Sequence, residues 1–220
     1  MHARRRDNSI PGLWFASCIN GSEMLFETLT FLASEVNAYL NEKLLPTSDP
    51  RLKVGNISLA FDSLLTGANS VNDKAVMTLV NLEEDRASRS PDNFVKSTTE
   101  ATYKNPPVVL NLYVMFSIFR TDYDDCLKWL GHIVQFFQYQ PTFTPLTHPS
   151  LDARIEKLTV ELYTMNFEQL NHIWSTLGGK YLPSALYKVR QLSLDENAVR
   201  GESGLIKEIQ LSERSMGAVS

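Results

Sequence analysis

The sequence has 220 residues, 43% of them hydrophobic and 21% charged, with a formal net charge of −4. This is the make-up of a soluble globular protein, and the length suits one domain or two small ones. The acidic balance, with Lys and Arg scattered rather than striped, excludes the basic field of a nucleic-acid binder, and no window approaches the ~18 consecutive apolar residues needed to span a bilayer.

Residues 1–23 stand apart. Arg4, Arg5 and Arg6, followed by an apolar stretch that ends at Cys18, have the outline of a lipoprotein export signal. Pro11-Gly12 interrupts that stretch, its apolar part is short beside the ~7–15 residues usual for such a segment, and Phe15 stands where Leu is preferred. The expectation is a disordered extension, or upstream sequence read through from a misassigned start codon. Cys18 and Cys126 are isolated, with no CxxC and no His at ligand spacing, which fits a reduced, cytosolic protein.

Leu25, Leu29, Leu32, Val36 and Leu40 recur at helical spacing, Ser22 sits at an N-cap position and Pro46 follows, so residues 23–45 are predicted to form an amphipathic helix. Ile57, Leu59 and Phe61 alternate with smaller residues and predict a strand. A second strand runs over 75–82 (AVMTLVNL), too apolar on both sides to be half solvated. Residues 83–105 are polar and aperiodic and predict a long loop, of a length at which loops carry a function or move. Residues 107–119 then place Val108, Leu110, Leu112, Val114, Phe116 and Ile118 on one face of a long strand, opposite Asn111, Tyr113 and Ser117; this is the predicted centre of the sheet.

Thr121 opens a capping signal (TDYDD), with acids in the first turn where they complement the helix dipole. The helix that follows, over 122–139, carries Tyr123, Leu127, Leu130, Val134 and Phe137 at spacings of three and four, with Trp129, Ile133 and Phe136 on a second face. A helix apolar on two sides is sandwiched or packs on a neighbouring subunit. Leu158, Val160 and Leu162 alternate as a strand, Asn166 caps a short helix over 167–177 closed by Gly178-Gly179, and a strand over 184–194 follows Pro183. A last β-like run, Leu205 to Leu211 (LIKEIQL), lies in the tail. The elements do not alternate as in a doubly wound sheet, so the predicted class is α+β with a mainly antiparallel sheet flanked by helices. The predicted organisation is an extension over 1–23, an α+β domain over 24–195 and a C-terminal arm over 196–220.

The search for chemistry yields none. His2, His132, His148 and His172 pair with no His, Cys or acid at metal-site spacing, and Cys126 lies beside Asp124 and Asp125, whose charges would raise a thiol pKa. No GxSxG elbow, P-loop or GxGxxG cradle occurs, and Gly178-Gly179-Lys180 ends a helix rather than holding a phosphate. Glu83-Glu84-Asp85 lacks the alternating ligands and turn glycine of a calcium loop and reads as a solvated strand end. No catalytic residue, metal or cofactor is expected.

Three segments, Asn105 to Ser117 (NPPVVLNLYVMFS), Phe136-Phe-Gln138 with Phe143-Thr144, and Lys157 to Leu192, closely resemble the cap proteins of extracellular contractile injection systems, the tail terminators of antifeeding-prophage-like particles. Phe31 to Asn37 (FLASEVN) and Val80 to Arg86 (VNLEEDR) extend the resemblance to residues 24–210. The extension before Met24 departs from the family pattern. The resemblance implies a phage-tail-terminator-like fold, a homohexameric ring that stops the inner tube and anchors the sheath, no cofactor and no enzymatic activity; the charge and hydropathy pattern adds the expectation of no nucleic acid or membrane as partner. The resemblance also implies assembly in the cytoplasm and residence in a released particle.

Within that role, Lys180, Tyr181, Lys188 and Arg190 are candidate contacts to neighbours or tube, because cations kept close together in an acidic protein suit acidic partners. A solvated strand face is the competing reading. Leu205, Ile209 and Leu211 either pair as an added strand with sheath subunits or edge their own sheet. The other classes of function are a soluble adaptor for assembly or cargo loading, and an enzyme or small-ligand binder on the same scaffold, since fold does not fix function.

Overall fold

A computed structural model describes residues 21–61, 73–86, 94–96, 100–104, 108–178, 180–194 and 199–204. The long first helix is present as α1 (Gly21–Lys43), with Leu29, Leu32, Val36 and Leu40 buried along one side. Ser22 lies within the helix rather than at its cap. Arg51 bonds Asn41 Oδ1 and the Leu45 carbonyl, closing the C-terminal end of the helix.

Strand β1 (Leu52–Val54), too short for periodicity to reveal, pairs parallel with β2 (Lys74–Glu84). The Ile57 to Phe61 stretch, predicted as a strand, is a 3-10 helix. Asn56 causes this: its Oδ1 accepts from the Ser58 N–H at 3.0 Å and its carbonyl from the Leu59 N–H at 3.1 Å, which winds the chain into a turn. The threefold repeat sends Ile57 and Ala60 into the core and leaves Leu59 47% exposed. Strand β2 is buried on both faces from Ala75 to Thr78, as its composition demands, and emerges into solvent from Asn81 onward.

The segment 83–105 is not a structureless loop. It holds the end of β2 and a hairpin of β3 (Phe94–Lys96) and β4 (Glu100–Lys104). Strand β5 (Val108–Phe119) follows and is central, the third of six in the order β1-β2-β5-β8-β7-β6. Strands β6 (Thr142–Phe143), β7 (Leu158–Tyr163) and β8 (Ser184–Leu194) complete this sheet, antiparallel throughout except for the β1–β2 pair. Strand β9 (Val199–Gly204) pairs antiparallel with β4, making a second, three-stranded sheet β3-β4-β9. Since β3 follows β2, β4 precedes β5 and β9 follows β8, this second sheet repeats the lateral order of the three central strands of the first.

Helix α2 (Tyr123–Tyr139) begins at an Asp122 cap, whose side chain accepts from the Asp124 N–H. Its buried stripe is Cys126, Trp129, Ile133, Phe136 and Phe137. Of the two predicted stripes, Trp129, Ile133 and Phe136 are all buried, and of the other only Phe137 is. In the structure Tyr123 and Leu127 are 60% and 48% exposed, with Leu130 and Val134 half-buried. Helices α1 and α2 cover one face of the sheet, where Phe116, Phe137 and Tyr187 stack at centroid distances of 4.8–5.5 Å.

The opposite face has its own smaller core, formed where the 3-10 helix and α3 (Phe167–Thr176) cover Val76, Met115 and Leu186. Helix α3 has the anticipated start. The Gln169 N–H donates to Asn166 Oδ1 at 2.8 Å and the Asn166 N–H to Gln169 Oε1 at 3.0 Å, a reciprocal capping box, and Gly178 lies just past its end at φ +109°. Asn166→Ala is expected to lower stability by about 1 kcal/mol in urea denaturation, because the Gln169 N–H in the first turn loses its acceptor.

Candidate interaction surface

The first, α1/α2-covered face of the main sheet leaves little room for function. The opposite face is only partly roofed, and the side chains that alternate onto it decide its character. Beyond α3 it presents Glu83 from β2, Tyr113 from β5, Lys188 and Arg190 from β8, and Glu161 from β7. Register accounts for their meeting: Tyr113 stands opposite Lys188, and Lys188 opposite Glu161. Glu83 reaches across β5, accepting from the Tyr113 hydroxyl at 2.5 Å and from Lys188 Nζ at 2.9 Å. The Lys188 ammonium also lies 5.2 Å from the Tyr113 ring centroid, and Arg190 Nε lies 3.2 Å from Glu161 Oε2.

These contacts shift the groups in the directions expected of charge-assisted bonds. The Tyr113 hydroxyl, then Lys188, hold the Glu83 carboxyl below its usual range, while Glu83 raises both Tyr113 and Lys188. In the first core, burial alone pushes Tyr187 up to about 12, and its hydroxyl has no hydrogen-bond partner there.

Of the residues singled out by sequence, Lys188 and Arg190 thus share one face, but each already has an acidic partner within its own sheet. Lys180 is exposed in the turn after α3, and Tyr181, 62% exposed, meets Trp174 edge-on at 5.9 Å. Leu205, Ile209 and Leu211 lie outside the described residues. Sequence reasoning missed Glu83, which it read as a solvated strand end, and the tyrosine that joins it to Lys188. The alternation of β5 put Tyr113 on the correct face; the pairing of β5 with β2 and β8 was the information needed.

Among the described residues, grooves of about 410–460 Å³ open on the surface. One runs along α1 beside Phe26, Phe31, Leu151 and Ile155. Another surrounds Trp129, with the Arg120 guanidinium 4.4 Å from its ring. A third lies between α3 and the sheet against Tyr113 and Tyr163. Among the described residues no group of three or more His, Cys, Asp and Glu could hold a metal ion, and no helix is long and apolar enough to cross a membrane. What this surface offers is shape, strand edges and paired charge.

Residues 27–208 match the family model described as the Pvc16 N-terminal domain. Among solved structures, the sheath/tube terminator of the PVC extracellular contractile injection system in its extended state is similar, with a TM-score of 0.56 and 12% identity over 89% of this chain and 65% of that one. The anti-feeding prophage cap, a tube-terminating cap, is similar with a TM-score of 0.54 and 12% identity over 84% of this chain and 60% of that one. At this identity the likeness is one of fold, and the chain spans less than two thirds of either structure's length. None of the curated proteins matches.

Proposed function

Because the chain belongs to the Pvc16 N-terminal domain family, we propose that it is a structural cap, ending the tube and anchoring the sheath of a contractile phage-tail-like injection particle. The observation that carries this reading is the family match over 27–208, joined to a six-stranded α+β fold similar to two terminators of such particles. The role is one of assembly rather than catalysis. The protein is made in the cytoplasm and leaves as part of the particle.

Its working form is a homohexameric ring. A ring of identical subunits needs head-to-tail contacts, and the outer stripe of α2, with Tyr123 and Leu127 uncovered, supplies apolar surface for one side of such a contact. Lys180 and Tyr181 lie at the end of the sheet where α2 begins, since the Ile118 N–H bonds the Pro183 carbonyl, and they belong to the same contact zone. Lys188 and Arg190 act through the ion pairs they make with Glu83 and Glu161 rather than as bare cations. Leu205, Ile209 and Leu211 meet the sheath by strand addition, in which main-chain hydrogen bonds supply the contact.

Native mass measures the ring. Six copies of 24.9 kDa give about 150 kDa. Leu127→Asp is expected to reduce that mass to the monomer's without unfolding it, because an unpaired charge is free in the monomer's solvent but costly in a closed interface. A parent protein that is monomeric at every concentration tested would contradict the ring.

A further inference from the structure

The three strands that adjoin those of the second sheet in chain order are also the three that Glu83, Tyr113 and Lys188 tie together, and both of their ladders change register nearby, the β2–β5 ladder beside Val114 and Tyr113 and the β5–β8 ladder beside Asn111. Between Leu79 and Asn81 the β2–β5 pairing shifts by a residue, and between Leu110 and Leu112 the β5–β8 pairing does the same. In both cases the extra residue belongs to the flanking strand, in β2 and in β8. Bulges of this kind bend the strand that carries them and increase its twist. The Tyr113–Lys188 pair lies between the levels of these two bulges, where bridging side chains can hold the bend that the bulges set.

Glu83 is the next-to-last residue of β2, stands opposite Asn111, and spans β5 to hold Lys188 just before the β8 bulge. The Asn111 Oδ1 is buried without a hydrogen-bond partner. Beyond this level the Asp85 N–H bonds the Val109 carbonyl, and the chain then passes to β3, while β8 passes to β9.

We infer that the Glu83–Tyr113–Lys188 cluster is a positioning device that locks the bulged root of the β3-β4-β9 sheet to the main sheet. The Lys188 side chain is 16% exposed and Glu83 48%, so the cluster contributes little to global stability and much to geometry, since one carboxylate accepts two bonds from two neighbouring strands. This inference does not depend on the capping role, and it is tested on the isolated full chain.

Hydrogen exchange followed by mass spectrometry provides the test. In Glu83→Gln, amides of Glu100–Lys104 and Val199–Gly204 are expected to exchange roughly fivefold faster, while those of Val114 to Ile118 in β5 keep their protection. The exchanged pair, Glu83→Lys with Lys188→Glu, restores slow exchange in the second sheet, which a merely structural role for either side chain would not do. Unchanged exchange of β4 and β9 in Glu83→Gln, equal acceleration in β5, or failure of the exchanged pair to restore protection each overturns the inference.

Discussion

Phe116→Ala is expected to destabilise the protein by about 3–5 kcal/mol, enough to consume a large part of a domain's net stability. Phe116 is 1% exposed at the middle of the central strand, with the rings of Phe137 and Tyr187 5.3 and 5.5 Å from its own. Those rings come from α2 and β8, so a cavity at this point removes contact between the sheet and its helical layer as well as within the sheet. The site cannot collapse easily, because Phe137 and Tyr187 are held against each other at 4.8 Å. Urea denaturation followed by circular dichroism measures the loss through the midpoint, with the slope unchanged. A loss under about 1 kcal/mol would mean that this aromatic stack does not join the two layers.

Removal of residues 205–220 is expected to have the largest effect on assembly while leaving the fold intact. The deletion begins after Gly204, which pairs with Glu100, so every described strand keeps its partners. On the proposed reading the deleted run, with Leu205, Ile209 and Leu211, contributes the strand that meets the sheath. The truncated protein should therefore retain the native mass and melting behaviour of the parent and lose co-purification of sheath with the capped tube. Sheath retained at the parental level would assign the contact to another surface.

Much of the fold was legible because the packing follows local pattern. The 3.6-residue spacing of Leu29, Leu32, Val36 and Leu40, the Asn166 cap and the alternation of β5 each report what the tertiary structure uses. Three features were not legible, for separate reasons. The Ile57 to Phe61 alternation resembled a strand, but the Asn56 side chain offers the backbone a turn in competition with a ladder. Helix α2 has two apolar stripes, and the pattern alone does not say how far each is covered; Trp129, Ile133 and Phe136 are buried together with Phe137, which stacks on the sheet, leaving Tyr123 and Leu127 uncovered. The hairpin within 83–105 and strand β9 are largely polar, so no hydrophobic alternation announces their pairing.

The interaction surface was legible only in part. Lys188 and Arg190 attracted notice as neighbouring cations, but nothing in the order of residues reveals that Glu83 lies across β5 from Lys188 or that Glu161 lies beside Arg190. The partners of a charge on a sheet are set by register between strands far apart in sequence, here 105 residues for Glu83 and Lys188. Ion-pairing within the chain also alters what those cations can do, since a partner protein would meet a neutralised surface.

The capping role itself is tested most directly by the lengths of particles assembled without this protein. Electron microscopy of such preparations should find tubes and sheaths of uncontrolled length, or sheaths lost from their tubes, with uniform particles restored when the chain is supplied. Particles of normal, uniform length with sheath in place in its absence would contradict the account.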